Sequence, residues 1–415
     1  MTALSLFAQT STKQKSNQII VSNASVTVLK DKPITVCRGK FPGLKEGLYP
    51  VISSPGGTVS SQLDDTNGDN KWDELFFVAN LPAKEKTVFT VKWVTVKPAY
   101  VKRTSVRFGK RSAVGVSVEP ALTETVYAKE MPKSLGFQRY QTDGPSWEND
   151  KVGFRHYLDG RNAKDMFGKL IPDMSPEKVG INAKGEVEDN YHVMEKWGRD
   201  ILAVGNSIGI GGIALLKGNT PLRLGVTVDD AVNNVEKTTF HIVSEAPVRS
   251  ILNFAYSNWK PEDQSYNVEE TISIWPGMYA YHNSVKMSGL EQNEDLAIGL
   301  VNINAEKPPV VLKVNENWVA LISHERHTYN KEWWLGLALI IPARSYLGFA
   351  EAPKTGKLAT TFLARLRIKN NEPVSYYAVA GWELSDKGFK DPAYFKQYVL
   401  DLVKQISAPI NITVK

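Results

Sequence analysis

Short runs of β-branched and aromatic residues, separated by Gly, Pro, Asn and Asp, recur along almost the whole chain of 415 residues. The run KTVFTVKWV shows the pattern clearly, because Phe89, Val91 and Trp93 alternate with polar residues such as Lys92. A period of two is typical of a strand with one buried face. Strands do not alternate with helices, and no repeat of fixed length is present, which argues against a doubly wound parallel sheet and a propeller. The sequence therefore predicts a mainly β protein built as a large antiparallel β-sandwich.

One segment near the C-terminus has a helical period instead. In DPAYFKQYVLDLVKQISAP, apolar residues recur at intervals of three and four. Asp391 can cap the N-terminus, Pro392 suits the first turn, and Pro409 ends the helix. The sequence predicts one C-terminal helix that packs on the sandwich.

The composition allows a sizeable core, because 42% of the residues are apolar. No stretch reaches the roughly 18 apolar residues of a transmembrane helix, so no membrane span is expected. Residues 1–18 contain the apolar run Ala3–Ala8 and predict a residual signal peptide, with a disordered tail as the alternative. Residues 19–412 are predicted to form one large domain, which could include an N-terminal sub-sheet over residues 19–110. We expect a periplasmic or secreted protein.

Charge and cysteine content limit the kinds of partner. The net charge of +6 favours an anionic partner. We find no nucleic-acid recognition motif or basic patch, and an acidic polysaccharide fits this charge as well, particularly for a secreted protein. Cys37 is the single cysteine, which excludes an intramolecular disulfide and a cysteine-based zinc site. The sequence does not indicate the oligomeric state.

The acidic stretch DDTNGDNKWDELF raises the question of a metal. Its four oxygen-bearing residues have the one, three, five, nine spacing of a calcium loop. However, Asn70 stands where such a loop needs glycine, and Phe76 where it needs a bidentate glutamate. The pattern favours a hairpin turn, with a structural calcium site as the alternative. The calcium candidates are Asp65, Asn67, Asp69 and Asp73, and no other cofactor is expected.

Three segments concentrate chemically capable side chains at points where a polar loop meets a strand. They are VGFRHYLDGRNAKDMFGK, EDNYHVMEKWGRDIL and EAPVRSILNFAYSNW. A single histidine or tryptophan in such a segment is more often structural than functional, and clustering is what favours a site. On an alternating strand, Tyr191 and His192 would face opposite sides.

These segments, together with QLDDTNGDNKWDELFF, carry a resemblance that extends from about residue 23 to residue 406. The chain resembles an uncharacterised-domain family from bacterial polysaccharide-utilisation loci. That family is similar to β-supersandwich proteins of the galactose-mutarotase type. One member, linked to the breakdown of the sulfated rhamnose–uronate polymer ulvan, looks like an oligosaccharide dehydratase. The resemblance implies a galactose-mutarotase-like supersandwich and a lyase that removes water from a terminal uronic acid to give a 4,5-unsaturated sugar.

Such an elimination needs a cation on the uronate carboxylate, a base for the C5 proton and an acid for the C4 hydroxyl. By residue type, the catalytic candidates are Arg155 for the cation, His192 or His156 for the base, and Tyr157 or Tyr191 for the acid. The substrate-binding candidates are Arg161, Lys164, Asp165, Trp197, Arg249 and Trp259, with Arg249 also able to supply the cation.

Two other functions remain open from the sequence. A glycoside hydrolase would use paired carboxylates across a sugar, for example Asp165 with Asp200 or Glu195. A sugar-binding or epimerase-like protein would break no glycosidic bond. Analysis of the products distinguishes the three.

Overall fold

The computed structural model describes residues 16–131, 136–227 and 229–415, which form two compact units. The predicted signal peptide or tail over residues 1–18 lies, up to residue 15, outside the described residues. Compact units within a chain need not fold independently, so the prediction of a single domain over residues 19–412 stays a prediction.

The first unit comprises the described residues up to Asp64, with Trp72–Val101 and Ala408–Lys415. Its first seven strands are β1 (Ser16–Asn23), β2 (Leu29–Cys37), β3 (Tyr49–Ser54), β4 (Gly57–Val59), β5 (Ser61–Asp64), β6 (Glu74–Leu81) and β7 (Lys86–Val94). In β7, the side chains of Phe89, Val91 and Trp93 are buried and that of Lys92 is exposed, as the period of two predicts.

The second unit comprises Lys102–Ser407 with Asp65–Lys71. Its strands are β8 (Thr104–Arg107), β9 (Gly109–Lys110), β10 (Glu119–Pro120), β11 (Thr123–Tyr127), β12 (Ser146–Asn149), β13 (Val152–His156), β14 (Lys164–Lys169), β15 (Gly198–Asp200), β16 (Ile213–Lys217), β17 (Thr220–Arg223), β18 (Val235–Glu245), β19 (Ser250–Trp259), β20 (Tyr266–Ile274), β21 (Ala280–Ser288), β22 (Glu294–Val301), β23 (Val310–Asn315), β24 (Trp318–Glu325), β25 (Leu335–Pro342), β26 (Tyr346–Glu351), β27 (Thr361–Leu366) and β28 (Val374–Trp382). Helix α1 (Pro392–Ser407) follows, and β29 (Ile410–Val414) returns to the first unit. Short 3₁₀ turns lie at Arg38–Lys40, Ala128–Glu130, Gln141–Asp143, Asn190–His192, Tyr329–Lys331 and Lys387–Lys390.

The strands pair antiparallel throughout the described sheets. The first unit has a five-stranded sheet in the order β29-β1-β7-β3-β4 and a three-stranded sheet β2-β6-β5. The second unit has a nine-stranded sheet β11-β18-β19-β20-β21-β28-β25-β24-β23 and two five-stranded sheets, β15-β14-β13-β12-β8 and β17-β16-β22-β27-β26, besides the short pair β10-β9. The predicted class, mainly β with large antiparallel sheets and one C-terminal helix, is confirmed.

Helix α1 begins where the sequence predicts. The Asp391 side chain accepts a hydrogen bond from the Ala393 backbone N–H at 2.7 Å, which caps the helix. Its apolar stripe is buried, and the Phe395 ring lies against Gly336 and Gly381, where an added Cβ would come within 2.4 and 2.8 Å of that ring. These glycines are needed because they allow the helix to approach the nine-stranded sheet closely. No helix of the described residues has the length and apolar character of a membrane span.

Candidate functional site

Arg155 is the centre of a buried cluster in the second unit. It lies on β13 opposite Asp165 on β14, and Asp200 on β15 lies opposite Phe167. This register places the three charged side chains on one face of the sheet. Nη2 of Arg155 donates to Asp200 Oδ2 at 2.6 Å and also to Asp165. All three side chains are buried, so the charges depend on one another for compensation.

Aromatic groups complete the surroundings of the guanidinium. Its carbon lies 4.5 Å from the ring centre of Tyr157, 5.2 Å from that of Phe167 and 5.1 Å from that of Tyr191. The Tyr157 hydroxyl accepts from Arg155 at 2.7 Å and donates to Asp165 at 2.7 Å. The predicted role of Tyr157 as a proton donor to substrate conflicts with this geometry, because its proton is already held by a buried carboxylate.

The predicted role of Arg155 as a substrate clamp also needs correction. Its Nη1 faces the Thr142 carbonyl at 3.4 Å and the Asp143 carboxylate at 3.7 Å, while Nη2 has three protein partners. The side chain is 1% exposed. Arg155 therefore organises the site from within: protein groups hold both of its terminal nitrogens, and its Nε is buried out of reach of a ligand carboxylate.

Protonation follows from this burial. Burial raises the pKa of Asp200 well above its ordinary value, and the neighbouring Asp165 carboxylate adds to the rise, while Arg155 opposes it. One guanidinium cannot balance the charge of two carboxylates in a buried site. The net charge of the cluster is therefore close to zero when Asp200 keeps its proton and Asp165 pairs with Arg155.

His192 lies at the exposed edge of this cluster. Its side chain is 41% exposed, and its Nδ1 lies 3.7 Å from Asp200 Oδ2. The rings of Tyr191 and Tyr329 flank it at centre distances of 4.8 and 5.7 Å. Burial lowers the pKa of His192, and the charge of Arg155 lowers it further. The imidazole is therefore held neutral at neutral pH, in the form that accepts a proton.

The expectation that Tyr191 and His192 face opposite sides is wrong, because the segment forms the 3₁₀ turn Asn190–His192 and not a strand. Tyr191 is buried beneath His192, and its hydroxyl bonds Asp189 at 2.9 Å and Asp143 at 3.2 Å. This bonding leaves the hydroxyl little freedom to serve as an acid for substrate.

Arg161 supplies a cation near the surface of the site. Its guanidinium lies over the Tyr157 ring at 3.7 Å and pairs with Asp159 at 2.6 Å. A fifth of its side chain is exposed, unlike that of Arg155. Among the predicted residues, Arg161 is thus the cation best placed to reach a ligand.

Tyr329 and Arg199 complete the exposed edge, and neither was predicted from the sequence. Burial raises the pKa of Tyr329, and the carboxylates of Asp200 and Asp165 raise it further, so its hydroxyl stays protonated. Arg199 donates from Nε to the Asp200 carbonyl at 3.0 Å and lies over the Trp333 ring at 5.4 Å. Tyr329 lies in the polar, aromatic stretch HERHTYNKEWW, which is the pattern that could have indicated it. The contact between Tyr329 and His192 joins two segments that are distant in the sequence, so no local pattern shows it.

A cavity of about 370 Å³ lies beside Tyr191. The two carboxylates bonded by Tyr191 belong to its wall. The polar part of the cavity wall includes Gln138, Arg139, Tyr140, Asp143, Asp159 and Asp189. Only Asp159 among these was singled out by the sequence, as part of the segment that precedes β14.

Two predicted site residues lie on the opposite face of the same sheet. His156 and Lys164 pair across β13 and β14, and both are fully buried. Lys164 Nζ bonds Glu270 at 2.7 Å, and His156 Nε2 lies 3.4 Å from the Tyr256 hydroxyl, which donates to Glu270 at 3.0 Å. Burial lowers the pKa of His156 well below its ordinary value. A catalytic His156 and a substrate-binding Lys164 conflict with this location, because both belong to a polar network inside the core.

The remaining binding candidates are not at the exposed edge. Trp259 is 1% exposed and donates to the Arg223 carbonyl at 3.0 Å. Trp197 is buried against Phe167 at 6.0 Å between ring centres. Arg249 lies in the turn between β18 and β19 and is 9% exposed. All three are buried, so none presents a surface to a ligand, although Trp197 belongs to the same small apolar cluster as Phe167 and Tyr191.

The acidic loop joins β5 to β6, whose ends pair as Asp64 with Glu74. The Asp65 carboxylate accepts from the backbone N–H groups of Gly68 at 2.7 Å and Asn70 at 2.8 Å. The side chains of Asn67 and Asp69 accept in the same way, at 2.9 and 2.8 Å. The described residues contain no group of three or more His, Cys, Asp or Glu that could hold a metal ion. The loop is a hairpin connection stabilised by its own side chains, and calcium binding by Asp65, Asn67, Asp69 and Asp73 stays a prediction.

Comparison with known proteins identifies the family. Residues 21–412 match the model of the domain of unknown function DUF4861, so the chain belongs to this family. This confirms the expected membership in an uncharacterised-domain family. The uncharacterized protein P7 of Formosa agariphila is 24% identical over 373 residues, which cover 86% of this chain and 82% of that protein.

Two solved structures from Enterococcus faecalis are also similar. One is a protein in glycosyl hydrolase family 38, with a TM-score of 0.49 and 8% identity over 96% of this chain. The other is an alpha-mannosidase, with a TM-score of 0.47 and 9% identity over 96% of this chain. The alignments cover 47% and 46% of those chains, so this chain spans about half their length. The overlap is too loose for an argument about function.

Proposed function

We propose that this protein is a carbohydrate-active lyase that removes water from the terminal uronic acid of an ulvan-type oligosaccharide and leaves a 4,5-unsaturated sugar. The observation that carries the proposal is the half-exposed His192, held neutral 3.7 Å from the buried Asp200. Two of the segments that resemble the dehydratase family, GFRHYLDGRNAKDMFGK and YHVMEKWGRDIL, also build this edge. The family resemblance supports the substrate class, and the position of His192 supports its assignment as the base.

The first step is removal of the proton at C5 of the uronic acid. The Nδ1 side of His192 faces Asp200, which leaves Nε2 for the substrate. The electron pair of the C5–H bond forms the C4=C5 double bond, while negative charge develops on the carboxylate. A neutral imidazole is the right form for this step, and its lowered pKa keeps it available in mildly acidic solution.

A cation must stabilise the charge on the uronate carboxylate. We assign this role to Arg161: Asp159 holds its Nε and Nη2, but the guanidinium is partly exposed over the Tyr157 ring at 3.7 Å, so its remaining N–H groups can reach a uronate carboxylate that shares the cation with Asp159. Arg155 supports the same region indirectly by holding Tyr157 in place. A guanidinium is suited to this task because it stays charged and offers N–H donors to the carboxylate oxygens.

The C4 hydroxyl needs a proton to leave as water. We assign the proton to Tyr329, because its ring lies 5.7 Å from the ring of His192 and its hydroxyl is protonated before the reaction. After the elimination, His192 carries one additional proton and Tyr329 lacks one. Exchange with solvent at the exposed edge restores both groups.

The paired-carboxylate alternative has less support. Asp165 and Asp200 bond the same nitrogen of Arg155, and both are fully buried. A hydrolase needs two carboxyl groups on opposite sides of an accessible sugar. Glu195, the other predicted partner of Asp165, accepts a hydrogen bond from the Trp197 indole N–H at 3.1 Å and does not bond Arg155.

The test is to incubate the purified protein with uronate-terminated oligosaccharides and to follow mass and ultraviolet absorbance. Loss of one water per chain with new ene-carboxylate absorbance is expected. Replacement His192→Gln should lower turnover by about 10²–10⁴-fold. The matched control is His241→Gln, an exposed histidine on β18, which should keep full turnover.

Other products would overturn the proposal. Shorter saturated chains would establish hydrolysis, and unchanged substrate mass would leave binding or epimerisation. Equal turnover of the His192→Gln variant and the wild type would remove His192 from the mechanism even if water is lost.

A further inference from the structure

We propose that the cavity beside Tyr191 binds an uncharged sugar unit attached to the reacting uronic acid. The inference rests on the proposed function and extends it from the reacting sugar to its neighbour. The cavity has a volume of about 370 Å³, at the lower end of the range for small-molecule sites. This volume is large enough to hold a single sugar ring.

Tyr191 connects the cavity to the reacting centre. Its ring lies 4.8 Å from the ring of His192, and its hydroxyl bonds two carboxylates of the cavity wall, Asp189 and Asp143. A uronic acid with C5 at His192 and a neighbouring sugar in the cavity would lie on two sides of one tyrosine. The two subsites are thus adjacent through a single buried side chain.

Charge decides which sugar the cavity accepts. Three cations near the wall already have anionic partners: Arg161 pairs with Asp159, Arg139 faces Glu130 at 3.6 Å, and Arg155 is held by the buried cluster. Asp189, in contrast, has no Lys or Arg within ion-pair distance in the described part of the chain. Gln138 donates to it at 3.0 Å, and Tyr191 donates at 2.9 Å. Among the described residues, the wall therefore carries an uncompensated negative charge at Asp189.

A carboxylate accepts hydrogen bonds and cannot donate them. The hydroxyl groups of a neutral sugar supply the donors that Asp189 requires, whereas a sulfate or carboxylate group would repel it. Tyr140 adds a second polar group to the wall. It is 2% exposed, and its hydroxyl makes no hydrogen bond of regular geometry among the described residues, although the Arg139 side chain contacts it and opposes the rise of its pKa that burial causes. A ligand hydroxyl would give this buried group a partner of better geometry.

This selectivity gives the reaction a place in a sequence of steps. Sulfate on the sugar next to the terminal uronic acid would have to be removed before the elimination. A sulfate-ester hydrolysis must therefore supply the substrate when the parent polymer is sulfated. The net positive charge of the chain does not contradict this order, because the uronate carboxylate itself remains anionic.

The test compares two disaccharides with a terminal uronic acid linked to rhamnose, one unsulfated and one sulfated on the rhamnose. For the wild type, kcat/KM should favour the unsulfated compound by about tenfold or more, mainly through KM. The variant Asp189→Asn should lose most of this preference, measured as the ratio of the KM values for the two compounds, and Asp189→Lys should reverse it. The matched control is Asp401→Asn, an exposed aspartate on α1, which should keep the wild-type preference.

Each outcome decides one of the two proposals. Turnover with equal or better use of the sulfated compound would overturn the cavity assignment and leave the lyase proposal intact. If neither compound is turned over, the lyase proposal fails, and calorimetric titration of the unsulfated disaccharide decides the cavity. Weaker binding by Asp189→Lys than by Asp401→Asn would then support the cavity, and equal binding would overturn it.

Discussion

Replacing Arg155 with methionine is the perturbation that tests the buried cluster most directly. The guanidinium donates to Asp165 and to Asp200, the latter at 2.6 Å, and all three side chains are at most 1% exposed. Methionine has a similar length but no charge, so two carboxyl groups would remain in the core without their cation. Removing one partner of a buried ion pair costs about 3–5 kcal/mol of unfolding free energy. We expect Arg155→Met to lose an amount in that range.

The assay is urea unfolding followed by tryptophan fluorescence at pH 7, with free energies from linear extrapolation. The matched control is Arg365→Met, which breaks a partly exposed ion pair with Asp295 of the same 2.6 Å length. Its loss should be at most about 1 kcal/mol, because solvent screens exposed pairs. The triple variant Arg155→Met, Asp165→Asn, Asp200→Asn should recover more than half of the loss, because no uncompensated charge remains. Equal losses in Arg155→Met and Arg365→Met, or a triple variant as unstable as Arg155→Met, would refute the reasoning.

Three other predictions follow from single groups. Because burial and Arg155 lower the pKa of His192, the acid limb of kcat/KM for the elimination should lie below pH 6.5, as a pH–rate profile measures. Asp200 has a raised folded pKa, so its protonated form contributes stability that is complete below the unfolded pKa of about 3.9 and is lost as pH rises through the folded pKa. Unfolding of the wild type and Asp200→Asn at pH 4 and pH 8 should therefore show the variant gaining stability relative to the wild type at the higher pH. Loss of the helix cap in Asp391→Ala should cost about 1 kcal/mol in urea unfolding, and an equal loss in Asp401→Ala would contradict the capping role.

The fold class was predictable because the local periodicity of apolar residues determines which segments form strands and which form a helix. The alternation of Phe89, Val91 and Trp93 gives a half-buried strand, and the spacing around Phe395 gives the helix. The partners of the strands were not predictable, because a period of two fixes which face is buried and says nothing about the neighbour. The pairing of Ile19 with Val414 joins the two ends of the described chain, and no local pattern indicates it.

The candidate site was predictable in its residue types and only partly in its arrangement. The segments around Arg155 and His192 do meet, as their clustering suggested. The alternation of a strand separates Arg155 from His156, and the same rule would have assigned His156 to the core side. Tyr329 was missed because its contact with His192 depends on the tertiary fold.

The cluster and the exposed edge divide two tasks that one group of residues could not perform together. Arg155 is useful because protein groups hold both of its terminal nitrogens, which fixes Tyr157 and the two carboxylates, and its burial prevents it from holding a substrate. His192 is useful because it is partly free. Asp200 joins the two, since Oδ2 bonds Arg155 and lies 3.7 Å from His192, while the buried Oδ1 has no hydrogen-bond partner in the described part of the chain. In the proposed reaction, the imidazolium formed at His192 has Asp200 as its nearest acceptor, so a shift of less than an ångström would convert their contact into a charge-assisted hydrogen bond at the moment when the base becomes charged.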